Sequence, residues 1–196
     1  IAGSELFTGH TMFLTLGVKA GTISHGQMWA ILPKTWLGNL VGSVFVALLY
    51  SWGGGSLLPV DTSIVHSVAL AKTTAPATVL FFKGALCNWL VCLAIWMAIR
   101  TEGAAKFLAI WWCLLAFIAS GYEHSVANMT LFALSWFGHH SEAYTLSGIG
   151  HNLLWVTLGN TLSGVVFMGL GYWYATPKSE RPVPAKINQP EATANN

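Results

Sequence analysis

Apolar residues along this chain run in stretches long enough to cross a bilayer, separated by short polar segments. A membrane-spanning helix needs about 20 predominantly apolar residues. Three stretches reach that length: Trp29 to Trp52, Thr78 to Ile99 and Asn152 to Ala175. A shorter one, Thr8 to Val18, covers only about half a bilayer at roughly 1.5 Å per residue. The stretch from Phe107 to Phe137 holds 31 residues, too many for one straight span. Its middle reads Ser120-Gly121-Tyr122-Glu123-His124, which no continuous lipid-facing helix should contain. A polar, glycine-bearing break at mid-span marks a discontinuous helix lining a cavity. From Thr176 to Asn196 the chain turns polar and carries three prolines after Pro177. That composition reads as a disordered tail, leaving residues 1–175 as an all-α, polytopic transmembrane domain.

Composition agrees with lipid as the solvent. Of 196 residues, 54% are hydrophobic and 8% charged, against about 25% charged in an ordinary soluble domain. Ten tryptophans fit a chain with membrane–water interfaces. The net charge of +2 is too small to point to nucleic acid as a partner. Cys87, Cys92 and Cys113 all lie in apolar runs and read as packing residues rather than a disulfide framework or metal site. The basic residues set an orientation. With the tail in the cytoplasm, Lys19, Lys34, Arg100, Lys106, Lys178, Arg181 and Lys186 all fall inside, and only Lys72 lies in an outer loop. The excess of internal cations selects this topology. The first half-helix then runs from mid-membrane to the cytoplasm, and its other half is expected upstream of Ile1.

Two short patterns recur. Ala2-Gly3-Ser4-Glu5 returns as Ser120-Gly121-Tyr122-Glu123 at an offset of 118, and Leu37-Gly38-Asn39 returns as Leu158-Gly159-Asn160 at an offset of 121. Matching order and offset indicate an internal repeat, with the two copies running oppositely through the membrane. Inverted repeats with broken helices are a common transporter architecture. The second copy has a full helix and a half-helix before its break, and the first lacks both, so the chain reads as N-terminally truncated.

Both breaks precede half-helices that start near the bilayer midplane, with Thr8 and Ser125 as expected N-caps. Two such starts would aim partial positive charge and free N–H groups at one central point, a geometry that favours an anion. Ordinary caps of kinked helices are the alternative, but membrane helix breaks concentrate at binding sites. His124 sits at the second break, where an ionisable residue is a functional candidate. It reads as a satisfied core residue, a haem ligand, or a group that gains a proton as an anion arrives. Glu5 and Glu123 read as structural, accepting backbone hydrogen bonds within the loops. Leu6, Phe7 and Phe117 flank the breaks and serve either as core or as dry constrictions. Gly38 with Gly42, and Gly159 with Ser163, have the spacing of close helix contacts. His139 and His140 have no further ligand nearby and do not read as a metal site.

Three segments carry a family resemblance: Gly3-Ser4-Glu5-Leu6-Phe7-Thr8, the run from Lys83-Gly84-Ala85 to Leu93-Ala94, and Gly121-Tyr122-Glu123-His124-Ser125-Val126-Ala127-Asn128-Met129. They resemble the signature segments of the formate/nitrite transporter family, most closely its nitrite-specific branch. The resemblance implies a homopentamer of aquaporin-like, six-helix protomers in the bacterial inner membrane, each with its own pore. It implies a channel for nitrite, and for formate and related small monovalent anions, rather than an enzyme, and no cofactor. It further implies that His124 is the central pore histidine, with Thr8 facing it, and that Leu6, Phe7, Phe117, Val91 and Asn88 line the constrictions. Lys72 would make the outer approach electropositive. Against the family pattern, the first helix and the first half of the second are expected to be missing from this chain. The competing reading is a membrane redox subunit holding haem through histidines, with His66 and His151 at span ends.

Overall fold

The computed structural model describes residues 5–55, 64–138 and 140–181. Ala2, Gly3, Ser4, His139, Lys186 and the rest of the tail beyond Arg181 lie outside the described residues. Among the described residues seven helices follow in order: α1 (Phe7–Lys19), α2 (His25–Trp52), α3 (Ile64–Thr73), α4 (Ala77–Ala98), α5 (Gly103–Ala119), α6 (Ser125–Phe137) and α7 (Leu146–Ala175). No strand occurs among the described residues. By length and composition, α2, α4 and α7 are able to cross a membrane. The tail begins with a short 3₁₀ turn, Lys178–Glu180, and Arg181 Nε donates to Thr176 O at 3.0 Å.

The helix ends follow local rules. α5 stops because Gly121 takes φ 63°, a left-handed conformation that costs other residues a steric penalty. The N–H groups of Gly121 and Tyr122 then bond Ile118 O and Phe117 O, each at 3.0 Å, closing the two-bond glycine cap of a helix C-terminus. α2 starts four residues before the expected Trp29, because Ser24 and Gln27 form a reciprocal capping box. α7 likewise starts early, on the Thr145 hydroxyl that accepts Gly148 N–H at 3.1 Å. α3 was not anticipated by hydropathy. It carries Lys72 in its last turn, rather than in a loop.

Packing is organised by glycines on α4 and α7. A Cβ at Gly159 would lie 2.1 Å from Phe81 O, and one at Gly84 would lie 2.9 Å from Val156 O. Backbones can approach this closely only without side chains, the usual device for joining helices where lipid removes the hydrophobic driving force. Further along α7, Gly164 faces Thr11 and Asn88, and Gly169 faces Thr15. This part of α7, Ser163–Leu170, is wound as a π-helix. The Gly38 and Gly42 pair behaves differently. Its spacing implied a close contact, yet a Cβ at either position meets nothing within 4 Å. α2 buries only Met28, Leu32, Ser43 and Ala47, and α5 buries only Cys113. Trp29, Trp111 and Trp112 are exposed, faces suited to lipid or to further helices. The three cysteines are free and buried.

Two asparagines hold the helix starts. Asn39 on α2 donates to Glu5 O at 2.8 Å and accepts Phe7 N–H at 2.9 Å. Asn160 on α7 donates to Glu123 O at 3.1 Å and accepts Ser125 N–H at 3.0 Å. Each amide therefore bridges the carbonyl of one residue and the N–H two residues later. The recurring Leu-Gly-Asn pattern is one device used twice. At Gly159 the device is backed by α4, whereas the corresponding Gly38 face is open.

Gly159→Ala should lower stability by about 1–3 kcal/mol or more, since the clash is with backbone atoms that cannot turn away. Gly38→Ala should leave the thermal midpoint in detergent unchanged or slightly higher, the added methyl meeting nothing. A loss at Gly38 equal to that at Gly159 would show that another helix covers the α2 face.

Candidate functional site: a histidine at the meeting of two helix starts

His124 is the N-cap of α6, and its Nδ1 accepts Ala127 N–H at 3.1 Å. A backbone N–H can only donate, so Nδ1 carries no proton and the neutral ring is protonated at Nε2. That nitrogen lies 3.1 Å from Thr8 Oγ1 on α1. The two helix starts thus meet through one side-chain hydrogen bond, with Thr8 fully buried and His124 8% exposed. Phe117 lies over the imidazole, ring centroids 5.9 Å apart and planes 24° from parallel.

The capping differs from what the sequence implied. Leu6, not Thr8, is the N-cap of α1, and it makes no side-chain capping bond. Ser125 is the first residue of α6 rather than its cap. Several of the N–H groups expected to be free are taken: Phe7 by Asn39, Ser125 by Asn160 and Ala127 by His124. The helix starts contribute their field together with the Thr8 hydroxyl and the His124 Nε2–H.

Beneath the histidine lies a connected polar network. Glu123 accepts from Lys72 Nζ at 2.7 Å through one carboxylate oxygen. The other oxygen accepts from Asn128 at 2.6 Å and Asn152 at 3.5 Å. Its carboxylate therefore binds side chains, not the loop backbone expected for it. Asn152 also donates to Lys72 O at 2.9 Å, fixing the end of α3. Such a pair is retained in an apolar setting only when the remaining lone pairs are satisfied, which the two asparagines achieve. Asn88 on α4 donates to Thr8 O, Thr11 Oγ1 and Asn160 O at 3.2, 3.1 and 2.6 Å. It is fully buried and ties α1 to α7 behind the junction.

The remaining expected site residues divide. Leu6 and Val91 line a cavity of about 630 Å³ between α1, α4 and α5, together with Glu5, His10 and Lys106. Phe7 is not among them. It is buried against Met28 and Leu32 and borders an apolar groove of about 580 Å³ between α2 and α7. His66 bonds Ser135 at 2.8 Å and His151 bonds Ala75 O at 3.1 Å, apart from His124. No group of three or more metal-binding side chains occurs among the described residues. Asn39, Asn128 and Asn160 lie in the recurring and family segments, but neither they nor Asn152 were read as site residues. Their signal was an amide in an apolar span, where an unpaired polar group is costly.

Cationic residues gather at one end. Lys19 Nζ lies 3.1 Å from Tyr174 OH, Arg100 stacks over Trp96 and Arg181 over Trp173, while Trp96 meets Tyr172 edge-on. The ends of α1, α4 and α7 thus share an aromatic and basic rim of the kind found at membrane interfaces.

Comparison with known proteins matches this architecture. Residues 1–174 fit the family model described as formate/nitrite transporter. The chain is 97% identical over 196 residues to the nitrite transporter NirC of Salmonella typhimurium, spanning all of this chain and 73% of that protein. A solved FNT family ion channel superimposes with a TM-score of 0.89 at 98% identity, covering 90% of this chain and 71% of that one. A pentameric formate channel with formate bound gives a TM-score of 0.73 at 27% identity, over 88% and 75% of the two chains. This all-helical membrane protein belongs to the formate/nitrite transporter family.

Proposed function

We propose that the chain forms a nitrite channel, passing nitrite and related small monovalent anions such as formate through a pore in each protomer of a homopentamer. The observation that carries this reading is the buried Thr8–His124 hydrogen bond at the meeting of two helix starts. A bare charge at the bilayer centre costs ~3 kcal/mol on insertion scales and on the order of 10 in some simulations. Donors and helix dipoles at that depth offset this cost for an anion and increase it for a cation. Near identity to a nitrite transporter and likeness to a formate channel support the same substrate class. The basic rim around Lys19, Arg100 and Arg181 supports a cytoplasmic C-terminus in a bacterial inner membrane.

His124 assists passage by donation from Nε2. Nδ1 is taken by the Ala127 N–H, which leaves Nε2–H as the ring's donor. The anion then crosses charged. Leu6 and Val91 narrow the path on the side of the cavity, Phe117 closes over the imidazole, and Lys72 adds positive potential while holding Glu123.

Asparagine caps helices well and keeps a donor, so His124→Asn should retain most of the electrogenic nitrite current. His124→Leu removes the donor and should cut it by about 10–100-fold, the worth of a hydrogen bond to a charged group. The measurement is nitrite flux with internal pH in liposomes under clamped voltage. Proton uptake accompanying nitrite in the parent and lost in the Asn variant would assign proton delivery to His124 instead.

Lys72→Met alone should destabilise by about 3–5 kcal/mol, because it strands the Glu123 carboxylate. Lys72→Met with Glu123→Gln should recover much of that loss. If Lys72 steers anions, this double variant should carry less nitrite than the parent at low ionic strength and converge with it at high salt. Equal flux at all ionic strengths would leave Lys72 with its structural role only.

A further inference from the structure

Lys106 is a cation that the central site does not use and that its own helix does not favour. It is the fourth residue of α5, whose first turn holds no acidic residue and whose N-cap, Glu102, makes no side-chain capping bond. A helix start carries partial positive charge, so a lysine there is opposed by the helix it belongs to. Lys19 and Lys72, by contrast, stand in the last turns of α1 and α3, where a cation stabilises. Orientation in the membrane does not call for Lys106 either, since Arg100, in the connection just before α5, is already a cation at that end.

Lys106 is half-buried. The ion pairs among the described residues join Glu5 with His10 and Glu123 with Lys72. Lys106 takes part in neither, nor in a side-chain hydrogen bond between described residues. An ammonium group has three donors and is strongly hydrated, so one that gives up part of its water gains from an anion beside it.

The space beside Lys106 is the cavity of about 630 Å³ that also reaches Leu6 and Val91. The one carboxylate in its lining is Glu5, which is exposed and in contact with His10. The rest of the α4 and α5 lining is apolar, including Ala94, Ile95, Ile110 and Leu114. Apolar walls of low dielectric focus the field of a charge into the space between them. Along α5, Lys106 stands 11 residues before Phe117, about 16 Å at 1.5 Å per residue. Phe117 stacks on His124, so Lys106 stands at the far end of α5 from the junction. That separation exceeds the Debye length of about 10 Å at 0.1 M salt. Its charge therefore bears on the arrival of an anion in the cavity, and little on the crossing of the centre.

We propose that Lys106 and this cavity form an entry site for a small monovalent anion such as nitrite or formate, holding it before the Leu6–Val91 constriction. This rests on the reading of the chain as a small-anion channel. Lys106 raises the local concentration of the anion on one face only, because the cavity opens on one side of the constriction. Removing the charge changes how much nitrite is needed to fill the path from that face, and leaves the rate of the filled path alone.

The test is single-channel nitrite current in planar bilayers, with nitrite raised on one face at a time and ionic strength held by an impermeant salt. Each channel then gives one half-saturating concentration per face, whatever its orientation. Lys106→Met should raise this concentration about two- to fivefold on one face at about 0.1 M salt. The other face and the saturating current should be unchanged, and the difference should vanish at about 1 M salt. Neither Lys106→Met nor Lys106→Gln strands an opposite charge, and the Gln variant should behave as the Met variant does. Lys106→Arg keeps the charge and should keep the parent value. Unchanged half-saturation on both faces overturns the entry site, as does an equal shift on both faces or a shift that persists at high salt. Absence of nitrite current from the parent would instead overturn the channel reading itself.

Discussion

A helix that starts among apolar neighbours must have its first backbone groups satisfied within the protein, because no water is there to do so. Here that constraint is met twice by one side chain. A carboxamide carries a donor and an acceptor side by side, matched to a carbonyl and to the N–H two residues on. Asn39 and Asn160 use this match at the two starts. Everything at the centre depends on it, since the residue between the two clamped groups is the one left to project. In the first repeat that residue is Leu6, and in the second it is His124. Two copies of one scaffold thereby present an apolar side chain and an imidazole from corresponding positions.

The polar groups at the centre are ranked by how firmly their protons are assigned. His124 has no freedom at Nδ1, because the donor there is a main-chain N–H. Glu123 is surrounded by a cation and two amides, all of them donors. The hydrogen bonds at the centre are thus fixed by their partners.

Much of this was legible in the sequence. The broken span was visible because Glu123 and His124 have no place in a lipid-facing helix, and the repeat was visible because Leu-Gly-Asn recurs at nearly the same offset as the break segment. The helix starts were read less well. Hydropathy averages over a window and places a start where apolar residues begin, whereas Ser24 and Thr145 start helices with polar ones. α3 was hidden for the same reason, being short and only partly apolar. The caps were misassigned because residue preference pointed to Thr8 and Ser125, while the tertiary clamp had already fixed the frame. The Gly38–Gly42 pair shows what spacing alone can establish. The pattern states that a helix can approach, and the neighbours decide whether one does.

The π-helical turn in α7 ties the length of the chain to its wiring. Gly159, Gly164 and Gly169 recur every five residues, a spacing that a regular α-helix would spread around its circumference at about 100° per residue. The wider winding of Ser163–Leu170 lets Gly164 and Gly169 both meet α1, through Thr11 and Thr15. Removing one residue from the regular α-helical part before it, Leu146–Leu162, with the wide winding kept, would turn all that follows by about 100°. Tyr174 would leave Lys19, and Tyr172 would leave Trp96. The segment thus acts as a counter: it tolerates exchange of one apolar side chain for another far better than it tolerates a change in their number.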